Sequence, residues 1–208
     1  MKIAIIDTET NGLPIYKDAD GAPIPADDPR QPRLASLSMC LVNSDGEFEQ
    51  LDFYVKPDGW KMTEEATAAN GLTDEYLMLH GRPVVEVLEA YSGAIKAGHA
   101  VASFGAQFDC KIMRGELRRA GMPDLFEETP NVCLMRASMG LGIQKANGKK
   151  GWPGLADVCR HFKIELTGQH QAEIDARAAV AIFSKLKALG KLPEPSIHRA
   201  KNYPGQDA

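Results

Sequence analysis

Near the start of the 208-residue chain, an unbroken apolar run, Ile3-Ala4-Ile5-Ile6, leads directly into Asp7-Thr8-Glu9-Thr10. A strand with one wet face alternates apolar and polar residues, whereas a run without alternation belongs inside a sheet covered on both faces. Lys2 to Asp7 is therefore expected to be a central strand. Asp7 and Glu9 lie two apart, so on an extended chain both carboxylates project from the same face. Side by side they repel, and one tends to hold a proton. A hard divalent cation, which prefers oxygen ligands, removes the conflict. The plainer alternative is a solvated strand end followed by the Asn11-Gly12 turn.

The rest of the chain supplies partners for that strand. Residues 12–33 hold five prolines and two glycines, a long loop of the kind that usually serves function at a surface. Residues 34–42 and 47–55 read as strands joined by turn chemistry at Asn43-Ser44-Asp45-Gly46, an antiparallel hairpin that rules out a purely parallel sheet. Thr63-Glu64-Glu65-Ala66 reads as a capped helix start that Gly71 ends, and a second short helix begins at Thr73. Helical spacing marks 83–97, 106–120, 154–162 and a long final helix through Ile174, Ala178, Ile182, Leu186 and Leu189. Residues 99–103 are a further short strand, 131–139 fit neither period, and 145–151 form a Lys/Gly-rich loop. Residues 190–208 carry three prolines and no helical period, so an irregular tail is expected. The sum is an α/β fold: a mixed, roughly five-stranded sheet with an antiparallel hairpin, flanked by helices.

Hydrophobic residues make up 44% of the chain, enough to bury a full core. A net charge of −4 gives no basic footprint, so charge alone does not point to nucleic acid; bound metals and local basic patches leave that partner open. Cys40, Cys110, Cys133 and Cys159 form no Cys-x-x-Cys pair, which fits buried thiols in a reducing cytoplasm. No apolar run approaches the roughly 20 residues needed to span a bilayer. A cytoplasmic protein with no membrane partner is the expectation.

Two further acidic segments match the first. Asp109, after Gln107-Phe108, falls in the first turn of its expected helix, where an acid can also simply complement the helix dipole. Phe104 and Phe108 beside it suit core packing or stacking on a base. His170-Gln171-Ala172-Glu173-Ile174-Asp175 opens the last helix. On a continuous helix His170 and Asp175 would lie about 140° apart. They converge if His170 sits on the preceding loop, where it could take a proton from a metal-bound water. Four carboxylates and one histidine are enough to hold two divalent metals and activate a water, which points to metal-dependent phosphodiester hydrolysis.

Asp7-Thr8-Glu9-Thr10-Asn11-Gly12-Leu13, then Phe108-Asp109, then His170-x-Ala172-x-x-Asp175, in that order, resemble the DEDDh branch of the DnaQ-like 3′–5′ exonuclease family over roughly residues 2–187. The resemblance implies an RNase H-like fold, with an exonuclease domain at 1–189 and the tail at 190–208. It implies two Mg²⁺ or Mn²⁺ ions on Asp7, Glu9, Asp109 and Asp175, with His170 as general base. Thr10 and Leu13 match positions that contact the terminal nucleotide in the family, and Thr8 and Phe108 are taken as further substrate-binding positions. Phe104-Gly105 stands where many members have His-Asn, and Asn70-Gly71-Leu72-Thr73 where many have His-Gly-Ile-Thr. The expected substrate is the 3′ end of a single-stranded nucleic acid, DNA favoured, cut to nucleoside 5′-monophosphates. Because the family includes proofreading subunits, a separate DNA polymerase chain is one partner it implies.

The alternatives are an exoribonuclease acting on RNA or short oligoribonucleotides, a non-catalytic nucleic-acid or polymerase-binding module, and a phosphatase with Asp7 as nucleophile. The phosphatase would leave His170 and Asp175 without a role. Lys145, Lys149, Lys150 and Trp152 could hold a single strand by phosphate contact and stacking, or form a solvated loop with Trp152-Pro153 on the core. Arg114, Arg118 and Arg119 are expected on a solvated helix face. His198, Arg199 and Lys201 in the tail could dock a partner.

Overall fold

The computed structural model describes residues 2–148, 151–167 and 170–197. Five strands, β1 (Ile3–Thr10), β2 (Leu34–Val42), β3 (Phe48–Tyr54), β4 (Ala100–Ser103) and β5 (Asn131–Cys133), form one sheet in the order β3-β2-β1-β4-β5. β1 is the middle strand, antiparallel to β2 and parallel to β4. It runs three residues past the expected end at Asp7, through Glu9 to Thr10, with a register irregularity between Glu9 and Thr10. Both carboxylates therefore stand on the paired strand, Glu9 included.

Alternation along β1 decides which helices each residue meets. Ile3 and Ile5 pack into one core layer with α6 (Leu155–Phe162) and α7 (Ala172–Ala188). Ala4 and Ile6 pack into the other, with α3 (Val84–Lys96) and α4 (Ala106–Arg119). Ile3, Ile5 and Ile6 are fully buried, each contributing about 1.5–3 kcal/mol of transfer free energy. Asp7 and Glu9 continue the α7 face and Thr8 continues the α4 face.

The hairpin β2–β3 closes at Asn43, whose N–H donates to the Glu47 carbonyl at 2.8 Å. Thr63 and Thr73 cap α1 (Glu64–Asn70) and α2 (Asp74–His80) by accepting from the N–H groups of Ala66 and Tyr76. Gly71 closes α1 in the left-handed region at φ 75°. The segment 131–139, which fits neither period, is two short elements in series: β5 passes directly into α5 (Leu134–Ser138), and Cys133 between them makes no side-chain cap. Residues 190–197 lack regular structure, but Ser196 exchanges two backbone hydrogen bonds with Asn131 at the outer edge of β5. Lys149, Lys150, His198, Arg199 and Lys201 lie outside the described residues.

The 12–33 loop lies along α4. The Lys111 ammonium donates to the carbonyls of Ile15 and Ile24, both at 2.9 Å. A Cβ on Gly115 would meet the Ala26 carbonyl oxygen at 2.4 Å, so only glycine allows this approach of loop to helix. Among the described residues no helix is long and apolar enough to cross a membrane.

Candidate active site

Three elements bring the acidic segments together. β1 delivers Asp7 and Glu9. β4 ends at Ser103, the chain turns through Phe104-Gly105, and Asp109 follows in the first turn of α4, buried. α7 starts at Ala172 and places Asp175, also buried, in its first turn. His170 precedes that helix with φ 62°, a left-handed conformation uncommon outside glycine. Its backbone N–H donates to Asp175 Oδ2 at 3.2 Å, so the acid helps hold the loop that carries the histidine. Glu9, His170 and Asp175 each offer a ligand atom, all within 4.8 Å of one another.

Burial pushes all four carboxyls toward their protonated forms, and for Asp7 and Glu9 repulsion from the neighbouring acids adds to it. Asp7 is raised well above the usual carboxylate range by burial, then by Asp109, Asp175 and Glu9. Glu9 is pushed up to about 7 by burial and then by Asp175, against a hydrogen bond from Asn70 that lowers it. Asp109 reaches about 6 through burial, opposed by the nearby hydroxyls of Ser103 and Thr8. Asp175 is raised by burial, opposed by the His170 backbone N–H and the charge of His170. Asp175 Oδ1 is buried with no hydrogen-bond partner among the described residues. A cluster of acids this costly to ionise, with one buried carboxylate oxygen unused, fits hard divalent cations.

The remaining expected positions fall in different places. Thr8 faces α4: its N–H and hydroxyl both donate to Asp109 Oδ1, at 3.0 and 2.8 Å, so its side chain is engaged in holding a carboxylate. The Thr10 hydroxyl donates to the Gly12 carbonyl, tightening the turn after β1. Leu13 beyond that turn is 84% exposed, an apolar side chain presented to solvent. Phe108 is half-buried and packs on the core layer of α3 and α4. The arginine face of α4 departs from the solvated face expected of it. Arg114 and Arg118 share Asp124 at 2.8 and 2.6 Å, and Arg119 pairs with the buried Glu116 at 3.1 Å. Asp124 lies beyond the helix, where helical spacing could not reveal it, whereas Glu116 stands three residues before Arg119 on α4 itself, a spacing at which helical side chains meet.

Asn70 was not marked as a site residue by its sequence context, although it begins the Asn70-Gly71-Leu72-Thr73 segment. It is buried, donates to the Thr10 carbonyl at 3.2 Å, and accepts from the Leu72 N–H at 3.0 Å. With Glu9, Tyr54, Leu72, Tyr76 and His170 it lines a cleft of about 320 Å³.

The exonuclease family model RNase_T matches residues 4–183. No curated protein sequence matches. E. coli exonuclease I in complex with a dT13 oligonucleotide is similar with a TM-score of 0.68 at 19% identity, over 89% of this chain and 41% of that one. The zinc-bound form of an E. coli exonuclease I complex with single-stranded DNA gives 0.70 at 18%, over 90% and 40%. A moderately thermophilic exonuclease I from Methylocaldum szegediense gives 0.67 at 21%, over 90% and 40%. At these identities the likeness is one of fold, and the chain spans about two fifths of each of those longer chains. The matched span takes in Asp7, Glu9, Asp109, His170 and Asp175 and most of the chain, and the chain belongs to the RNase_T exonuclease family.

Proposed function

We propose that the chain is a 3′–5′ exonuclease that removes nucleoside 5′-monophosphates from single-stranded nucleic acid, DNA before RNA. The observation that carries this reading is the meeting of Asp7, Glu9, Asp109 and Asp175, whose charges raise the proton affinity of Asp7 and Glu9, with His170 beside Glu9 and Asp175. The DNA preference draws on the oligonucleotide and single-stranded DNA complexes of the structural relatives. Those relatives lend no support to a polymerase partner.

The four carboxylates would hold two divalent cations, which supply Lewis acidity to the attacking water and charge relief at the departing 3′ oxygen. An all-oxygen donor set suits Mg²⁺ or Mn²⁺. His170 takes the proton from the attacking water as general base. The cleft lined by Glu9, Asn70, Leu72 and Tyr76 receives the terminal nucleotide, and the exposed Leu13 wedges beside it. Thr8 fixes Asp109 and Thr10 fixes the turn that carries Leu13. We assign the catalytic unit to residues 1–189, with 190–208 as an appended segment, and its setting to the cytoplasm.

The test is product analysis. 5′-labelled single-stranded DNA and the matching RNA are incubated with the protein in Mg²⁺, Mn²⁺ and EDTA. A ladder shortening from the 3′ end, with 5′-monophosphate released only in metal, is expected, and faster for DNA. Faster RNA cleavage would reassign the sugar preference. No cleavage of either strand would overturn the reading in favour of a binding module.

A further inference from the structure

A second cavity, of about 500 Å³, lies along α4 and shares no lining residue with the cleft that holds Glu9 and His170. Gln107, Lys111, Arg114 and Arg118 fall on its wall at i, i+4, i+7 and i+11, one face of the helix. The same helical turn holds Asp109, so the cavity begins within about one turn of the acid cluster. The 12–33 loop, the turn at 125–127, α5 and residues 193–196 complete it.

Its walls alternate cations with aromatic rings. Lys111 Nζ stands 4.9 Å over the Tyr16 ring and the Arg114 guanidinium 4.6 Å over Phe126. Arg136, on the lining, stands 5.3 Å over Trp152. Arg114 and Arg118 are partly neutralised by Asp124, but Lys111 and Arg136 have no carboxylate in ion-pair range among the described residues. Among the described lining residues Glu194 is the one carboxylate. Ring faces and guanidinium planes are what unstacked bases pack against, and uncompensated cations are what phosphates seek.

We propose that this cavity is a second nucleotide subsite, holding a nucleotide of the single strand upstream of the 3′ end being cut. Arg136 and Lys111 meet its phosphate, and Tyr16 and Phe126 its base. The assignment of the occupant as part of the strand rests on the exonuclease reading above. α4 then acts in two directions, offering an acid to the metal cluster and a cationic face to the strand. The 12–33 loop gains a function, because Lys111 pins it where Tyr16 forms the cavity wall.

The test reads binding without cleavage. Fluorescent dT12 and dT2, and thymidine 5′-monophosphate as competitor, are titrated by anisotropy in EDTA at low salt with wild type, Arg136→Ala, Tyr16→Ala and Tyr16→Phe. Wild type should prefer dT12 over dT2 by about tenfold or more. Arg136→Ala and Tyr16→Ala should each weaken dT12 by roughly five- to tenfold, with Tyr16→Phe within about twofold of wild type. Arg136→Ala should also flatten the salt dependence of dT12 binding by about 0.7 in log–log slope for one lost phosphate contact. No preference for dT12 in wild type overturns the proposal, as does equal loss of dT2 and dT12 in the variants. Thymidine monophosphate affinity falling while dT12 affinity holds would make the cavity a free-mononucleotide site and overturns it too. If these binding results hold but no strand is cleaved, the exonuclease reading fails and the subsite stands.

Discussion

Thr8 donates both its backbone N–H and its hydroxyl to one oxygen of Asp109, at 3.0 and 2.8 Å, although 101 residues separate them. The pair ties the central strand to the first turn of α4 and spends Asp109 Oδ1 on that tie. A metal-binding carboxylate held this way has its orientation fixed before any cation arrives.

Thr8→Val keeps the shape and removes the hydroxyl. The expected cost is about 1 kcal/mol of stability. Activity and Mn²⁺ affinity should fall further, by about 10–100-fold, because an outer-shell partner of a ligand is lost. Calorimetric titration with Mn²⁺ beside urea unfolding separates the two; unchanged metal affinity would make the tie structural only.

The seat of the 12–33 loop on α4 depends on Glu116. It is 1% exposed and accepts from Arg33 at 2.7 and 3.0 Å, from Arg119 at 3.1 Å and from the Leu34 N–H at 3.2 Å. Glu116→Ala leaves these donors without their acceptor. Urea unfolding should show a loss of about 3 kcal/mol, the low end for a broken buried pair because a quarter of the Arg33 side chain is exposed. A loss below about 1 kcal/mol would contradict this.

The acid cluster makes the metal-free protein pH-dependent in an unusual sense. Glu9 at about 7 and Asp109 at about 6 hold protons that the unfolded chain releases near pH 4. Between about pH 4 and 7 the folded state binds more protons, so the stability these groups contribute is present at the acid end and lost as pH rises. Asp157, held down to about 2 by the Ala146 N–H and then by Arg160, acts below that window. Melting temperatures in EDTA should fall from pH 4.5 to 7.5, and saturating Mn²⁺ should remove the decline. A flat or rising profile in EDTA would contradict the burial of ionisable acids described here.

His170→Ala should lower kcat by about 10²–10⁴ with KM little changed, as for a general base. Mn²⁺ titration should keep its stoichiometry. Loss of a metal site would instead make His170 a ligand, a role its position within 4.8 Å of Glu9 and Asp175 also allows.

Much of this was readable in the sequence. Ile3 to Ile6 lacks alternation because both faces are covered, and the period of two placed Asp7 and Glu9 on one side. Thr63, Gly71 and Thr73 marked helix ends by local hydrogen bonding, which is why their bounds came out closely. His170 had to precede its helix to approach Asp175, and it does. What stayed hidden depends on distant partners. Thr8 was expected at the substrate, but the face opposite Glu9 meets α4, and no local pattern says which helix packs there. Arg114 and Arg118 of α4 find Asp124 and Asp27 outside the helix, which no local pattern reveals, whereas the Arg119–Glu116 pair lies within α4 at i,i+3. β5 and α5 were ambiguous because three strand residues run into five helical ones with no cap between them.

The central claim is that four converging carboxylates make this chain a metal-dependent nuclease. Its most direct test compares wild type with Asp7→Ala on 5′-labelled dT12 in Mn²⁺, with circular dichroism as a check on folding. Asp7 adds metal ligation rather than core volume, so the variant should fold, lose at least about a thousandfold in cleavage, and bind fewer Mn²⁺ ions. A folded Asp7→Ala that trims the 3′ end at the wild-type rate, with the same metal dependence, would contradict the account.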